Sequence, residues 1–111
     1  MKLPHIEHAY VPEDKIVRYL LNLEHKGGGK EKAAFFMRFG FTTDRREKLA
    51  EALLAHATTH EVVSTTRRSD VTNFVIEGAL ETPDKRQPLV RTVWTLEVGS
   101  DSPRFVTAYP L

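Results

Sequence analysis

The chain contains no cysteine among its 111 residues, which excludes disulfides, cysteine-ligated zinc and a thiol nucleophile. It has no apolar run long enough to span a bilayer. The opening Met1-Lys2-Leu3-Pro4-His5 lacks the apolar stretch of a secretory signal, so the expected compartment is the cytoplasm. Nor is there an excess of charge of one sign. With 16 Lys and Arg against 15 Asp and Glu, the net charge of +1 is too mild to announce a nucleic-acid binder by itself. Walker loop, dinucleotide fingerprint, HExxH and GxSxG elements are all absent. Gly27-Gly28-Gly29-Lys30 shares its glycines with a phosphate-binding loop, but it follows a helical pattern and lacks the Gly-Lys-Ser/Thr spacing. It reads as a hinge between helices.

What is present points to one α+β domain over residues 1–111, long enough to bury a core. An irregular N-terminal segment (1–11) precedes a helical half (12–58) and an antiparallel sheet (60–110). The expected order is helix-helix-helix-β-β-β-β, with the N-terminal helices packed on one face of a four-stranded antiparallel sheet. Pro12, Glu13 and Asp14 suit a helix start, and Ile16, Leu20 and Leu23 keep helical spacing after it. A second helix over about 30–39 lines up Ala33, Phe36 and Met37, and Gly40 ends it. Asp44 or Thr43 is the expected cap of a third helix, with Glu47 completing a capping box. Leu49, Leu53 and His56 form its stripe, and Thr58-Thr59 is expected to end it.

Strands are expected at about 60–66, 71–80, 89–98 and 104–109. Their connections are short, so a meander is the simplest topology. Alternation places Val90, Trp94, Leu96 and Val98 toward the helices and turns Arg91, Val93 and Thr95 away. Phe74, Ile76 and Leu80 are the core set of the second strand. In the last strand Thr107, Tyr109 and Phe105 fall on one side. Helices on one face leave the other face open, a natural place for an extended ligand such as RNA.

Basic residues cluster at Lys26, Lys30 and Lys32, at Arg45 and Arg46, and at Arg67 and Arg68. Of the five histidines, His5 and His8 belong to the irregular segment. His56 and His60 are four apart, but no third metal ligand is apparent, and His56 reads as a ring at the edge of the core. No metal or cofactor is expected. His25 stands beside Lys26 at the end of the first helix. There it is either a side chain favoured by the helix dipole or an acid–base group for a ribose 2′-OH and a leaving 5′-oxygen. Lys or Arg balances the negative charge of a phosphorane. Thr and Tyr hydroxyls bond its oxygens, and Tyr stacks on a base. Such a set suffices for metal-independent RNA cleavage.

Leu20-Leu21-Asn22-Leu23-Glu24-His25, then Lys32-Ala33-Ala34-Phe35-Phe36 and Phe39-Gly40-Phe41, resemble the opening of a small bacterial domain family of unassigned function. Glu51-Ala52-Leu53-Leu54-Ala55-His56-Ala57, Arg91-Thr92-Val93-Trp94 and Pro103-Arg104-Phe105-Val106-Thr107-Ala108-Tyr109-Pro110 match its remainder. The resemblance covers about residues 11–110. Such domains occur as tails of polymorphic toxins and as stand-alone genes beside a small partner gene, and they are similar to the barnase–EndoU–colicin–RelE group of RNase toxins. The resemblance implies helices followed by a four-stranded antiparallel sheet. It points to His25, Lys32, Arg91, Thr107 and Tyr109 as the catalytic set. This chain departs from the family at Leu23 and Lys26, where the usual form has prolines, and so lacks the loop's usual rigidity.

The expected function is therefore a toxin-type, metal-independent endoribonuclease of a toxin–antitoxin or polymorphic-toxin system. It would act on mRNA or tRNA by 2′-OH attack, with RNA and a small antitoxin or immunity protein as partners. With no delivery module ahead of Met1, a stand-alone toxin gene is expected rather than a secreted effector. The alternative is a non-catalytic interaction module that pairs with a small partner, using Arg91 and Tyr109 as anchors. A nucleic-acid-binding regulator without cleavage is the third reading.

Overall fold

Period-two alternation in the second half of the chain becomes a single sheet. The computed structural model describes residues 1–16 and 29–111. Among these residues, the helical turn α1 (Glu13–Lys15), helix α2 (Gly29–Arg38) and helix α3 (Arg46–Thr59) precede the four strands. The strands are β1 (Val62–Arg68), β2 (Val71–Ala79), β3 (Leu89–Glu97) and β4 (Arg104–Pro110). Spatial order equals chain order and every adjacent pair is antiparallel, so the sheet is the expected meander. The expected first helix and its stripe beyond Ile16 lie outside the described residues, as does His25. No helix among the described residues is long and apolar enough to cross a membrane.

Helix α2 stops where Gly40 takes a φ of 105°. The Phe41 N–H returns to the Phe36 carbonyl at 3.2 Å and the Gly40 N–H to the Met37 carbonyl at 3.0 Å, the Schellman pattern. The Phe36 and Phe41 rings close this end with a 6.2 Å contact inside the core.

Helix α3 corrects one expectation. It begins at Arg46 after a 3-10 turn (Thr43–Arg45), and no side chain caps it, so Asp44 sits inside that turn and is not the cap. It ends at Thr58-Thr59, as expected. The Thr58 hydroxyl bonds the Leu54 carbonyl at 2.9 Å, which keeps a β-branched residue within the helix. The helix therefore runs to Thr59, and β1 starts later than expected.

Leu49, Leu53, Phe36, Phe41, Ile76, Leu80, Val90, Trp94 and Phe105 are almost fully enclosed between the helices and the inner sheet face. Phe74 joins them from β2. Trp94 and Phe105 meet edge to face at 5.4 Å. On β3 the inner row differs from expectation. Leu96 is half-buried and Val98, beyond the strand end, is exposed, whereas Thr92 is buried between Val90 and Trp94. Thr92 is tolerated there because its hydroxyl is fully used. The Trp94 indole N–H donates to it at 3.0 Å, and it faces His56 Nδ1 at 3.1 Å. His56 Nε2 lies 3.1 Å from the Gly78 carbonyl and 3.0 Å from the Val90 carbonyl. Carbonyls only accept, so Nε2 carries the proton and Nδ1 accepts from Thr92. Burial, aided by the neighbouring His60 ring at 4.9 Å, holds His56 below its ordinary pKa, and it stays neutral.

A β-bulge also corrects the expected register of β4. Trp94 pairs with Phe105 and Val93 pairs with Thr107, so β4 holds Val106 as an extra residue. The extra residue breaks strict alternation. Phe105 turns into the core, while Thr107 and Tyr109 share the outer face.

The first residues hold one 3-10 turn, Ile6–His8, and are pinned to both sheet edges. The Met1 carbonyl accepts from Val62 N–H at 2.7 Å. Tyr10 bridges Arg104 in parallel through bonds of 3.0 Å to Pro103 and Phe105. Leu3 plugs the core between them.

Candidate functional site

Cross-strand pairing assembles the outer face in rows, because directly paired residues point the same way. One row is Glu77–Arg91–Tyr109 and the next is Val75–Val93–Thr107, each running across β2, β3 and β4. The bulge in β4 is what puts Thr107 and Tyr109 into these rows beside Arg91. Helix α2 then supplies Lys32, whose ammonium donates to Thr107 Oγ1 at 2.9 Å. That ammonium also lies 5.4 Å from the centre of the Tyr109 ring.

Arg91 reaches the same ring and its hydroxyl. Its Nη1 donates to the Tyr109 hydroxyl at 3.3 Å and its Cζ lies 5.5 Å from the ring centre. Its Nε donates to Glu77 Oε2 at 2.6 Å, and its Nη2 is ion-paired to the same oxygen. The Tyr109 hydroxyl and the Glu77 carboxylate together raise the pKa of the guanidinium above its usual, already high, value. Arg91 is thus a permanent cation with a fixed orientation. Arg91 and Glu77 are both about one-third exposed, so water and ligand reach them.

Four of the five residues picked from the sequence thus come together: Lys32, Arg91, Thr107 and Tyr109. The fifth, His25, falls among residues the structure does not describe. Glu77 is the member that sequence reading missed. The signal for it was available: with the hairpin closing between Ala79 and Leu89, counting two back and two forward sets Glu77 opposite Arg91.

Two cations converging on one tyrosine ring, with a threonine hydroxyl between helix and strand, form a seat for an anion flanked by an aromatic platform. Glu77 confines that seat. An anion reaching Arg91 has to use the donors that do not face the carboxylate. Elsewhere, a concavity of about 590 Å³ lies between Gly40, Lys48, Ala52 and Pro83. It shares no residue with this cluster. Among the described residues no three His, Cys, Asp or Glu side chains come together as a metal centre requires.

A family model described as "Domain of unknown function (DUF6883)" matches residues 2–111, and the chain belongs to that family. No curated protein matches. Among solved structures, the chain is similar to one from a "Contact-dependent growth inhibition toxin - immunity protein complex from Klebsiella pneumoniae 342". The TM-score is 0.74 at 17% identity, with 96% of each chain covered, so the likeness is one of fold.

Proposed function

We propose that this DUF6883 domain is the toxin of a toxin–partner pair and that it cleaves RNA at the outer sheet face. The observation that carries the reading is the convergence of Lys32 and Arg91 on Tyr109, with Lys32 bonded to Thr107. Its fold likeness to a chain of a toxin–immunity complex supports a role in such a pair.

In the proposed reaction a base removes the proton from a ribose 2′-OH. The 2′-oxygen forms a bond to phosphorus, the bond from phosphorus to the 5′-oxygen breaks, and an acid protonates the leaving oxygen. The products are a cyclic phosphate and a free 5′-OH. Arg91 and Lys32 balance the charge of the phosphorane, Thr107 orients a phosphate oxygen, and Tyr109 stacks on a base or donates to the phosphate. His25 is assigned one of the two proton transfers, as general base or general acid, and Glu77 holds Arg91 in place. The partner is a small antitoxin or immunity protein that sets acidic groups against Lys32 and Arg91.

Inducible expression of the domain alone tests this reading. Growth arrest with fragmented RNA is expected, and Arg91→Ala or His25→Ala should relieve it while the protein remains folded. Normal growth with an intact RNA profile would sink the proposal. Loss of RNase activity on chelation would contradict the metal-free chemistry.

A second reading rests on the Glu77–Arg91 pair, which already satisfies much of the guanidinium. Under it the same surface is a protein-binding patch, and the chain is a non-catalytic or immunity-type partner. Tight association with a small protein, with no RNA cleavage by the free domain, distinguishes that case.

A further inference from the structure

The outer face continues past the cluster toward the β3–β4 loop. The row after Val93–Thr107 pairs Thr95 with Arg104. Two residues of strand separate these rows by about 7 Å, the scale of one nucleotide step along an extended chain. Beyond Arg104, the parallel bridge sets Tyr10 at the sheet edge, where the residue is 45% exposed. Ser100, Ser102 and Glu97 complete a polar notch of about 70 Å³ around Thr95 and Arg104. That volume suits a phosphate group and not a nucleoside.

Arg104 is half-buried in the notch and, among the described residues, makes no ion pair or side-chain hydrogen bond. This sets it apart from Arg91, whose charge is answered by Glu77. A guanidinium held at the wall of a notch lined with hydroxyls, beside an exposed tyrosine, repeats the chemistry of the Lys32–Arg91–Thr107–Tyr109 cluster one row away. Glu97 stands on the β3 side of the notch. Its carboxylate repels a phosphate there, keeping it toward Arg104 and the Ser100 hydroxyl, since the Ser102 hydroxyl donates to Asp101, and it can accept from a base amino group.

We infer that this notch is a second phosphate subsite for a single RNA strand gripped at Arg91, with Tyr10 as the platform for the adjoining base. The inference rests on the RNA reading above and adds direction to it: the strand follows β4, from Tyr109 past Thr107 to Arg104 and Tyr10. A track of cations and aromatic rings along a sheet is how single strands are bound without base reading.

The test is binding of a short fluorescent single-stranded RNA, 2′-O-methylated to prevent cleavage, by fluorescence anisotropy over a salt series. Arg104→Ala should reduce the slope of log affinity against log salt by about 0.7, the loss of one phosphate contact. Tyr10→Ala should weaken binding about ten-fold with the slope unchanged, and Tyr10→Phe should restore it. The bridge at Tyr10 is made by its backbone, so both variants keep it. Arg91→Ala is the reference for the first site. If the wild-type domain binds no RNA, the RNA reading and this subsite fall together. If it binds, and Arg91→Ala weakens binding while Arg104→Ala and Tyr10→Ala leave affinity and slope unchanged, the subsite alone is overturned.

Discussion

The two faces of β3 handle polar groups in opposite ways. Toward the helices, Thr92 and Trp94 join His56 in a dry chain of hydrogen bonds in which every donor meets an acceptor and no member is charged. On the other face, Arg91 is charged, about one-third exposed and shared between Glu77 and Tyr109, with Lys32 near the same ring. The strand and its backbone bonds are the same, and only the medium differs. Where water is excluded, polar atoms have to be neutral and exactly paired off, because an unpaired group costs about 1–3 kcal/mol. Where water remains, charge can be held in reserve for a ligand.

Five outcomes break or sharpen that contrast. The largest concerns Arg91→Ala, which should lower RNA cleavage about 100- to 1,000-fold, as expected for loss of one transition-state donor. Thermal melting should stay within a few degrees of the parent, since the side chain is on the wet face. A collapse of the melting temperature instead would make Arg91 a structural residue. On the dry face the signs reverse. His56→Ala should cost about 2–4 kcal/mol in a denaturant titration, through a cavity and orphaned groups at Thr92, Gly78 and Val90.

Gly78→Ala comes next, at about 1–3 kcal/mol. A Cβ there would lie 2.5 Å from the His60 ring, so adding His60→Ala should recover much of the loss. An unchanged loss in the double variant would place the strain elsewhere.

Acid should act on the dry face too. His56 has a folded-state pKa below the ordinary 6.5 because it is buried, so the unfolded chain binds the extra proton first. Its contribution is complete above about pH 6.5 and declines as pH falls through the depressed folded-state value, by at most about 1.4 kcal/mol per unit. Unfolding free energies measured from pH 8 to 5, parent against His56→Leu, should show this slope only in the parent. The smallest effect belongs to neither face. Arg46→Ala removes an exposed pair with Glu13 and should change stability by no more than about 1 kcal/mol.

Much of this contrast could be read before any coordinates. Trp94 inward and Arg91 outward followed from alternation, as did the burial of Phe74, Ile76 and Leu80. The inward Thr92 did not, because a threonine inside a core is acceptable only once a particular histidine and indole are known to reach it. The bulge was equally hidden. Strict alternation put Phe105 beside Thr107, and one extra residue at Val106 separated them. The start of α3 failed for a similar reason: Asp44 has the chemistry of a cap, but the chain entered the helix through a 3-10 turn.

Composition and periodicity by themselves determined the α+β class, the strand order and most of the core, because those depend on local spacing and on which side chains avoid water. The resemblance to a known family, rather than composition or periodicity, singled out Lys32, Arg91, Thr107 and Tyr109. Only the tertiary structure decided that these four meet, that Glu77 holds Arg91, and that Arg104 and Tyr10 extend the same face. Those contacts join residues far apart in the chain through strand register and a single bulge, and register is set by the packing of the whole sheet against its core.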